Sequence, residues 1–159
     1  MKFVVDASVA AKIWVREPRS QKARTLIDSA DRGNDLLVPW HMPAETMNAL
    51  IKTRLVRNGA KQGVRPETLK RYVNSLMVLV RTGALQLFKD DNTIMFQALE
   101  LALLDTGGQG HLSIYDTIYH ALAIQEEAKF VTDDAAYVRK LQNHARLRAS
   151  VVLLEDLEF

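Results

Sequence analysis

The chain contains no cysteine among its 159 residues. A disulfide framework, a thiolate zinc site and a cysteine nucleophile are therefore excluded. The chain also lacks any run near the ~18 apolar residues that a membrane helix needs, and its N-terminus MKFVVDAS lacks the apolar stretch of a signal peptide. These absences lead us to expect a soluble cytoplasmic protein without a membrane partner.

Glycine and proline are also scarce, with seven and four residues, while hydrophobic residues make up 48% of the chain. That composition is typical of a folded protein, and the length suits a single domain spanning residues 1–159. Gly-rich phosphate loops, nucleophile elbows and paired-His zinc motifs are absent from the sequence. Kinase, ATPase and serine hydrolase functions therefore have no basis in the sequence.

Charge is unevenly distributed, although the formal net charge is only +2. Seven basic residues lie between Lys52 and Arg71 against the single acid Glu67, whereas nine acids lie between Leu85 and Asp134 against two lysines. One interpretation is a solvated helical face and an acidic surface. The other is a phosphate-facing rim beside an acidic metal pocket.

Short apolar strands alternate with amphipathic helices along the chain. Strands are predicted at Lys2–Val5, Leu36–Val38, Leu85–Phe88, Lys129–Thr132 and Val151–Leu154, and helices at about Val9–Arg16, Ser20–Asp31, Pro43–Arg57, Pro66–Val80, Asn92–Leu104, Ser113–Glu127 and from Asp134 to about Leu141. This order predicts an α/β fold in three layers, α/β/α, with a short, mostly parallel central sheet. Ligand sites in such sheets lie at the carboxyl ends of the strands.

Acidic residues occur where such a site is expected. Asp6 directly follows the first strand, and Asp133 and Asp134 follow the strand Lys129–Thr132. Asp116 lies in the first turn of a helix that is apolar nearly all round, where a carboxylate needs a cation or hydrogen-bond donors. Clustered carboxylates are the ligands that Mg²⁺ or Mn²⁺ prefers.

Each acid also has a purely structural explanation. Asp6 or Ser8, and likewise Thr132, Asp133 or Asp134, could cap a helix, while Ser113 and Asp116 have the spacing of a capping box. Glu45 shares a helical face with Asn48 and Lys52, as a solvated glutamate would. Four histidines, at positions 41, 111, 120 and 144, could form an acid/base pair, but no two share a motif and we assign them no catalytic role.

Four segments together resemble a known family: VVDASVAAKIW, LLVPWHMPAETMNAL, HLSIYDTIYHALA and KFVTDDAAYVRKL. The sequence is similar to PIN-domain proteins of the VapC toxin type, in the same order over nearly the whole chain. It departs from the family pattern at Thr117, where many relatives carry Ala, and in a longer stretch between Asn58 and Asp91. Neither departure removes an acid, but both leave substrate choice open.

The resemblance implies an acidic site of Asp6, Glu45, Asp116 and Asp134, with Asp133 as the rival to Asp134. Asp6 and Asp116 would hold a magnesium or manganese ion directly, and Glu45 and Asp134 would act through water or a second, weaker site. Ser8 and Thr132 would orient ligands or the attacking water. The basic residues Arg54, Arg57 and Lys61 would hold the nucleic-acid backbone.

The resemblance also implies a function. It indicates a metal-dependent endoribonuclease that hydrolyses phosphodiester bonds and leaves a 5′-phosphate, acting as a homodimeric toxin controlled by a cognate antitoxin. The preference for RNA comes from the resemblance alone, because a water-driven mechanism does not need the 2′-hydroxyl. The alternatives are a catalytically silent PIN-fold module that binds nucleic acid or protein, and a phosphohydrolase of small phosphate esters.

Overall fold

Five short strands and the helices between them form the fold, as seen in a computed structural model that describes residues 1–55, 65–89 and 91–158, without the side chains of 53–55. The elements are β1 Lys2–Val5, α1 Ala7–Ala11, α2 Ser20–Asp28, β2 Asp35–Pro39, α3 Met42–Leu55, α4 Pro66–Arg81, β3 Gln86–Phe88, α5 Asn92–Ala102, α6 Ile114–Gln125, β4 Lys129–Thr132, α7 Ala135–Lys140, α8 Ala145–Arg148 and β5 Val151–Leu153. A 3₁₀ turn, Ala30–Arg32, follows α2.

The strands form one sheet in the order β3-β2-β1-β4-β5. Every strand pairing in the described part of the chain is parallel, with Val4 of β1 opposite Leu37 of β2 and Phe130 of β4. The predicted α/β class is therefore confirmed, and the sheet is parallel throughout rather than mostly parallel. Parallel strands need long crossovers, which the helices supply.

The strand order reverses direction at β1, because the chain first moves through β2 to β3 and then returns to β4 on the other side. Right-handed crossovers in opposite directions place their helices on opposite faces of the sheet. Beyond the carboxyl ends of β1 and β4 this reversal leaves a crevice, which is the usual ligand site of such sheets. Residues that follow β1 and β4 are thus brought together.

Apolar residues of the central strands and of α6 form the core. Val4, Val5, Phe130 and Val131 are fully buried. Helix α6 is buried continuously from Thr117 to Ala123, because it contacts β1, β2 and β4 on one side and α5 on another. This agrees with the apolar character predicted for its middle.

Two predicted helix ends are corrected, and one short helix was missed. The helix expected to reach Arg16 ends at Ala11, because the N–H groups of Lys12, Ile13 and Trp14 donate to carbonyls three residues earlier rather than four. The helix expected to reach Asp31 ends at Asp28, because the hydroxyl of Ser29 donates to the carbonyl of Leu26 at 2.6 Å. The short helix α8 was not predicted, since four residues carry too little periodicity.

Part of the predicted basic rim lies outside this description. Arg57 and Lys61 fall outside the described residues, and for Arg54 only the backbone, within α3, is described. Lys52 is described, and its side chain is exposed. No helix in the described ranges is both long enough and apolar enough to span a bilayer.

Candidate active site

Asp6 lies at the carboxyl end of β1, at the sheet's reversal point. Its backbone N–H donates to the carbonyl of Val131 at 3.0 Å, which ties the end of β1 to β4. Its side chain is only 6% exposed and accepts the N–H of Ser8 at 3.2 Å, so it also caps α1. Capping alone does not require burial of a carboxylate. Burial raises the pKa of Asp6, against the lowering effect of its hydrogen bonds.

Two hydroxyls connect Asp6 to the segment after β4. Ser8 Oγ donates to Asp6 Oδ2 at 2.8 Å and accepts the N–H of Asp133 at 3.4 Å. Thr132 Oγ1 donates to the same carboxylate oxygen and accepts the N–H of Asp134 at 3.1 Å. Because each hydroxyl donates its single proton to Asp6, it fixes the position of that carboxylate relative to β4.

Asp133 and Asp134 have different hydrogen-bond and ion-pair partners. Asp133 pairs with Lys12 Nζ at 2.9 Å and with Arg19 Nε at 2.7 Å. Asp134 Oδ1 accepts the N–H groups of Ala136 and Tyr137 at 2.7 and 3.1 Å, which makes it the N-cap of α7. The charge of Asp134, however, also acts on Asp6 and Asp116. The geometry therefore favours Asp134 over Asp133 as the acid that faces the site.

Asp116 lies in the first turn of α6, where a capping box with Ser113 was one explanation. Ser113 is the N-cap residue but makes no side-chain capping hydrogen bond, so that explanation is wrong. Burial raises the pKa of Asp116 to about 7, and repulsion from Asp6, Asp134 and Glu45 adds to the effect, while the charge of Lys140 opposes it. At neutral pH Asp116 is thus poised between its two protonation states.

Glu45, in the first turn of α3, is half-buried rather than solvated. Tyr119 on α6 donates its hydroxyl proton to Glu45 Oε2 at 2.7 Å. His41, one helical turn earlier, brings Nε2 to 3.5 Å from the same oxygen. Burial raises the pKa of Glu45, repulsion from Asp6 adds to this, and Tyr119 and His41 lower it.

The four predicted acids thus form one electrostatic cluster, since Asp116 experiences the charges of the other three. Their oxygens have the donor chemistry of a magnesium or manganese site, and their mutual repulsion is of the kind a divalent cation relieves. In the described part of the chain, however, no three acidic or histidine side chains come close enough to hold one ion between them. A site of one or two carboxylates, completed by water and substrate phosphate as is common for Mg²⁺, does not need such a group.

A cleft with a volume of about 940 Å³ opens beside Glu45. Its walls come from the turn before α3, from α3 itself, and from α5 and α6. The residues that line it are Trp40, His41, Ala44, Glu45, Asn48, Lys52, Met95, Ile114, Tyr115 and Ile118. The cleft therefore joins an acidic end to an apolar, aromatic wall.

The family model of the PIN domain matches residues 3–142 and so includes all four acids. The chain belongs to the PIN-domain family. No curated protein sequence matches it significantly. The resemblance noted from the sequence motifs is confirmed at the level of this family.

Solved structures share the fold of this PIN domain. VapBC2 from Rickettsia felis, bound to a DNA fragment from their promoter, has a TM-score of 0.60 at 15% identity, with 96% of this chain and 97% of that chain covered. VapC20 of Mycobacterium tuberculosis, a sarcin-ricin loop cleaving toxin, has a TM-score of 0.61 at 15% identity, with 85% and 92% covered. VapBC-1 from nontypeable Haemophilus influenzae has a TM-score of 0.55 at 13% identity, with 90% and 94% covered.

Sequence reasoning missed two residues of the site. Tyr119 belongs to the quoted Tyr-Asp-x-x-Tyr segment but was given no role; its spacing of three residues from Asp116 places it on the same face of α6. His41 was considered only as a partner for other histidines. Its position four residues before Glu45 was the available signal, because residues so spaced are neighbours on one helical face.

Proposed function

We propose that this PIN domain is a metal-dependent endoribonuclease that hydrolyses RNA phosphodiester bonds. The observation that carries the proposal is the convergence of Asp6, Glu45, Asp116 and Asp134 from four distant parts of the sequence at one edge of the sheet. Repulsion within such a cluster costs stability in the metal-free fold, and the capping bonds of Asp6 and Asp134 do not require the four acids to converge. Binding of Mg²⁺ or Mn²⁺ supplies the reason.

The chain's own residues hold and tune the acids. Ser8 and Thr132 fix Asp6, and Tyr119 fixes Glu45. Asp6 and Asp116 would hold the ion, with Glu45 and Asp134 acting through water or a second ion. When bound, the ion would polarise a phosphoryl oxygen and lower the pKa of an attacking water. Lys52, exposed beside Glu45, would face the phosphate backbone.

The toxin role is part of the proposal. We propose that a cognate antitoxin inhibits the nuclease, and that the protein forms a homodimer. Support comes from the shared fold with VapC20, a sarcin-ricin loop cleaving toxin. RNA is proposed over DNA on the sequence resemblance, because the acids themselves do not require a 2′-hydroxyl.

The first test is cleavage by the purified protein, freed of any bound partner. Structured RNA and single-stranded DNA are incubated with magnesium, manganese or EDTA. We expect metal-dependent cleavage of RNA, and a loss of at least about 100-fold in Asp116→Asn, because the substitution removes a charged ligand. Asp28→Asn changes an exposed aspartate in α2 and serves as the matched control.

Four results would count against the proposal. Cleavage that persists in EDTA would contradict metal dependence, and equal activity of Asp116→Asn and Asp28→Asn would remove the acidic cluster from the mechanism. No cleavage of any polymer, together with no metal binding in calorimetry, would favour a catalytically silent binding module. Hydrolysis of small phosphate esters alone would favour a different phosphohydrolase.

A further inference from the structure

Two aromatic side chains stand exposed on the wall of the cleft beside Glu45. Trp40 is 59% exposed and Tyr115 is 55% exposed. Both flank the buried ring of His41, whose centroid lies 6.1 Å from that of Trp40 and 5.8 Å from that of Tyr115. Large aromatic surfaces left in water beside a cleft indicate a ligand with a flat, apolar face.

Polar groups of α3 line the same cleft. Asn48 and Lys52 lie three and seven residues after Glu45, so all three share one face of the helix. An amide offers both a donor and an acceptor to the edge of a heterocycle, and an ammonium group binds a phosphate. A ligand that matches these side chains is flat, carries hydrogen-bonding groups at its edge and is attached to an anion.

We propose that the cleft binds one unstacked nucleobase of an RNA strand on Trp40 and Tyr115, with Lys52 on the adjoining phosphate. The inference rests on the proposed nuclease function and names the form of RNA it acts on. Glu45 both lines the cleft and interacts with Asp6. A base held there belongs to a nucleotide next to the phosphate that reaches the acids.

A specific substrate preference follows. A base inside a duplex is already stacked on its neighbours and cannot enter the cleft, whereas a base in a loop or single strand can be turned out and stacked on an aromatic ring. The cleft volume of about 940 Å³ leaves room for a nucleotide. The protein therefore selects single-stranded or looped RNA, and tolerates different bases because each has a π face.

Binding is measured without cleavage, in the Asp116→Asn background, with a short fluorescein-labelled RNA in single-stranded and in duplex form. We expect Trp40→Ala and Tyr115→Ala each to weaken single-strand binding by about tenfold, because one stacking contact is lost. Duplex binding should not change. Trp40→Phe, which keeps a ring, should stay within about threefold of the parent. Phe96→Ala is the matched control, because it removes an aromatic side chain that is 68% exposed and does not line the cleft.

Tryptophan fluorescence gives an independent readout. The chain has two tryptophans, and Trp14 is stacked on Tyr72. In Trp14→Phe the emission comes from Trp40 alone, and we expect a single-stranded oligonucleotide to quench it more strongly than the same backbone with abasic sites. Thermal unfolding of each variant confirms that the fold is retained.

Three outcomes would overturn the inference. The first is unchanged single-strand binding in both alanine variants, and the second is an equal loss of affinity for single-stranded and duplex RNA. The third is Trp40 emission that does not respond to RNA but varies with protein concentration. The last would assign the cleft to contact between copies of the chain. If the parent protein cleaves nothing while the base-dependent effects remain, the nuclease proposal fails and the base site stands. If the parent protein cleaves single strands and Trp40→Ala does so with unchanged kcat/KM, the base site fails and the nuclease proposal stands.

Discussion

Asp133 and Asp134 are adjacent in sequence but serve different purposes. Asp133 is the main partner of Lys12, whose side chain is only 9% exposed and whose other carboxylate partner, Glu17, lies at 3.2 Å. Asp134 caps α7 and faces the acidic cluster. The two neighbouring carboxylates therefore differ, because one is held by basic side chains and the other caps a helix and adds negative charge near Asp116.

This division predicts different stabilities for two single substitutions. Asp133→Asn leaves a nearly buried ammonium group with a weaker set of partners and should lower the free energy of unfolding by about 1–3 kcal/mol. The contact with Arg19 adds little to this, because that side chain is 35% exposed. Asp134→Asn keeps a good N-cap residue and should change stability by less than about 0.5 kcal/mol.

Urea unfolding of both variants in EDTA measures the difference. Equal destabilisation by the two substitutions would contradict the assignment of Asp133 to the fold. The test does not depend on activity, so it stands whatever the substrate proves to be.

At the scale of elements, His120 links α6, α7 and the residue before β5. Ser150 Oγ donates its proton to the carbonyl of Leu147 at 2.7 Å, so it accepts from His120 Nε2 at 2.7 Å. Nδ1 of the neutral ring then accepts from the hydroxyl of Tyr137 at 2.8 Å. Burial lowers the pKa of His120 to about 4, so the ring stays neutral at pH 7. These contacts give His120 a structural role.

Tyr137→Phe should therefore destabilise the fold by about 1–2 kcal/mol, because a buried ring nitrogen of His120 loses its donor. The matched control is Tyr72→Phe, which removes a hydroxyl from the half-buried ring that stacks on Trp14. Urea denaturation at pH 7 compares the two variants with the parent. A larger loss in the control than in Tyr137→Phe would show that the hydrogen bond contributes nothing.

At the scale of the whole molecule, the acidic cluster makes stability depend on pH. An unfolded Asp116 carboxyl ionises near its ordinary pKa of 3.8, whereas in the metal-free fold its pKa is about 7. Between these values only the folded state keeps the proton, so the free energy of unfolding falls as pH rises through this window and is level above it. The titration of His120 has the opposite effect on stability. As pH falls below its ordinary pKa of 6.5, only the unfolded chain gains a proton on this ring, so the free energy of unfolding falls.

Comparison with Asp116→Asn separates the two effects, since both proteins contain His120. We expect the variant to gain stability relative to the parent between pH 5 and pH 8 in EDTA, as measured by urea midpoints. Added magnesium should stabilise the parent more at pH 8 than at pH 5, because the ion binds the ionised carboxylates. Parallel pH profiles of the two proteins would mean that Asp116 is not perturbed.

The sequence by itself determined the α/β class, the five strands and the three acids that follow β1 and β4, because hydrophobic periodicity and strand ends can be recognised within a few neighbouring residues. Helix ends such as Ala11 and Asp28 were misplaced, because the helices change to tighter turns at Lys12 and Ser29, where the sequence has no glycine or proline to mark the end. Only the tertiary structure paired Asp133 with Lys12 and Arg19 and gave Glu45 its partner Tyr119, which lies 74 residues away in sequence. Contacts between distant segments depend on how helices pack on the sheet, and no local pattern encodes that packing.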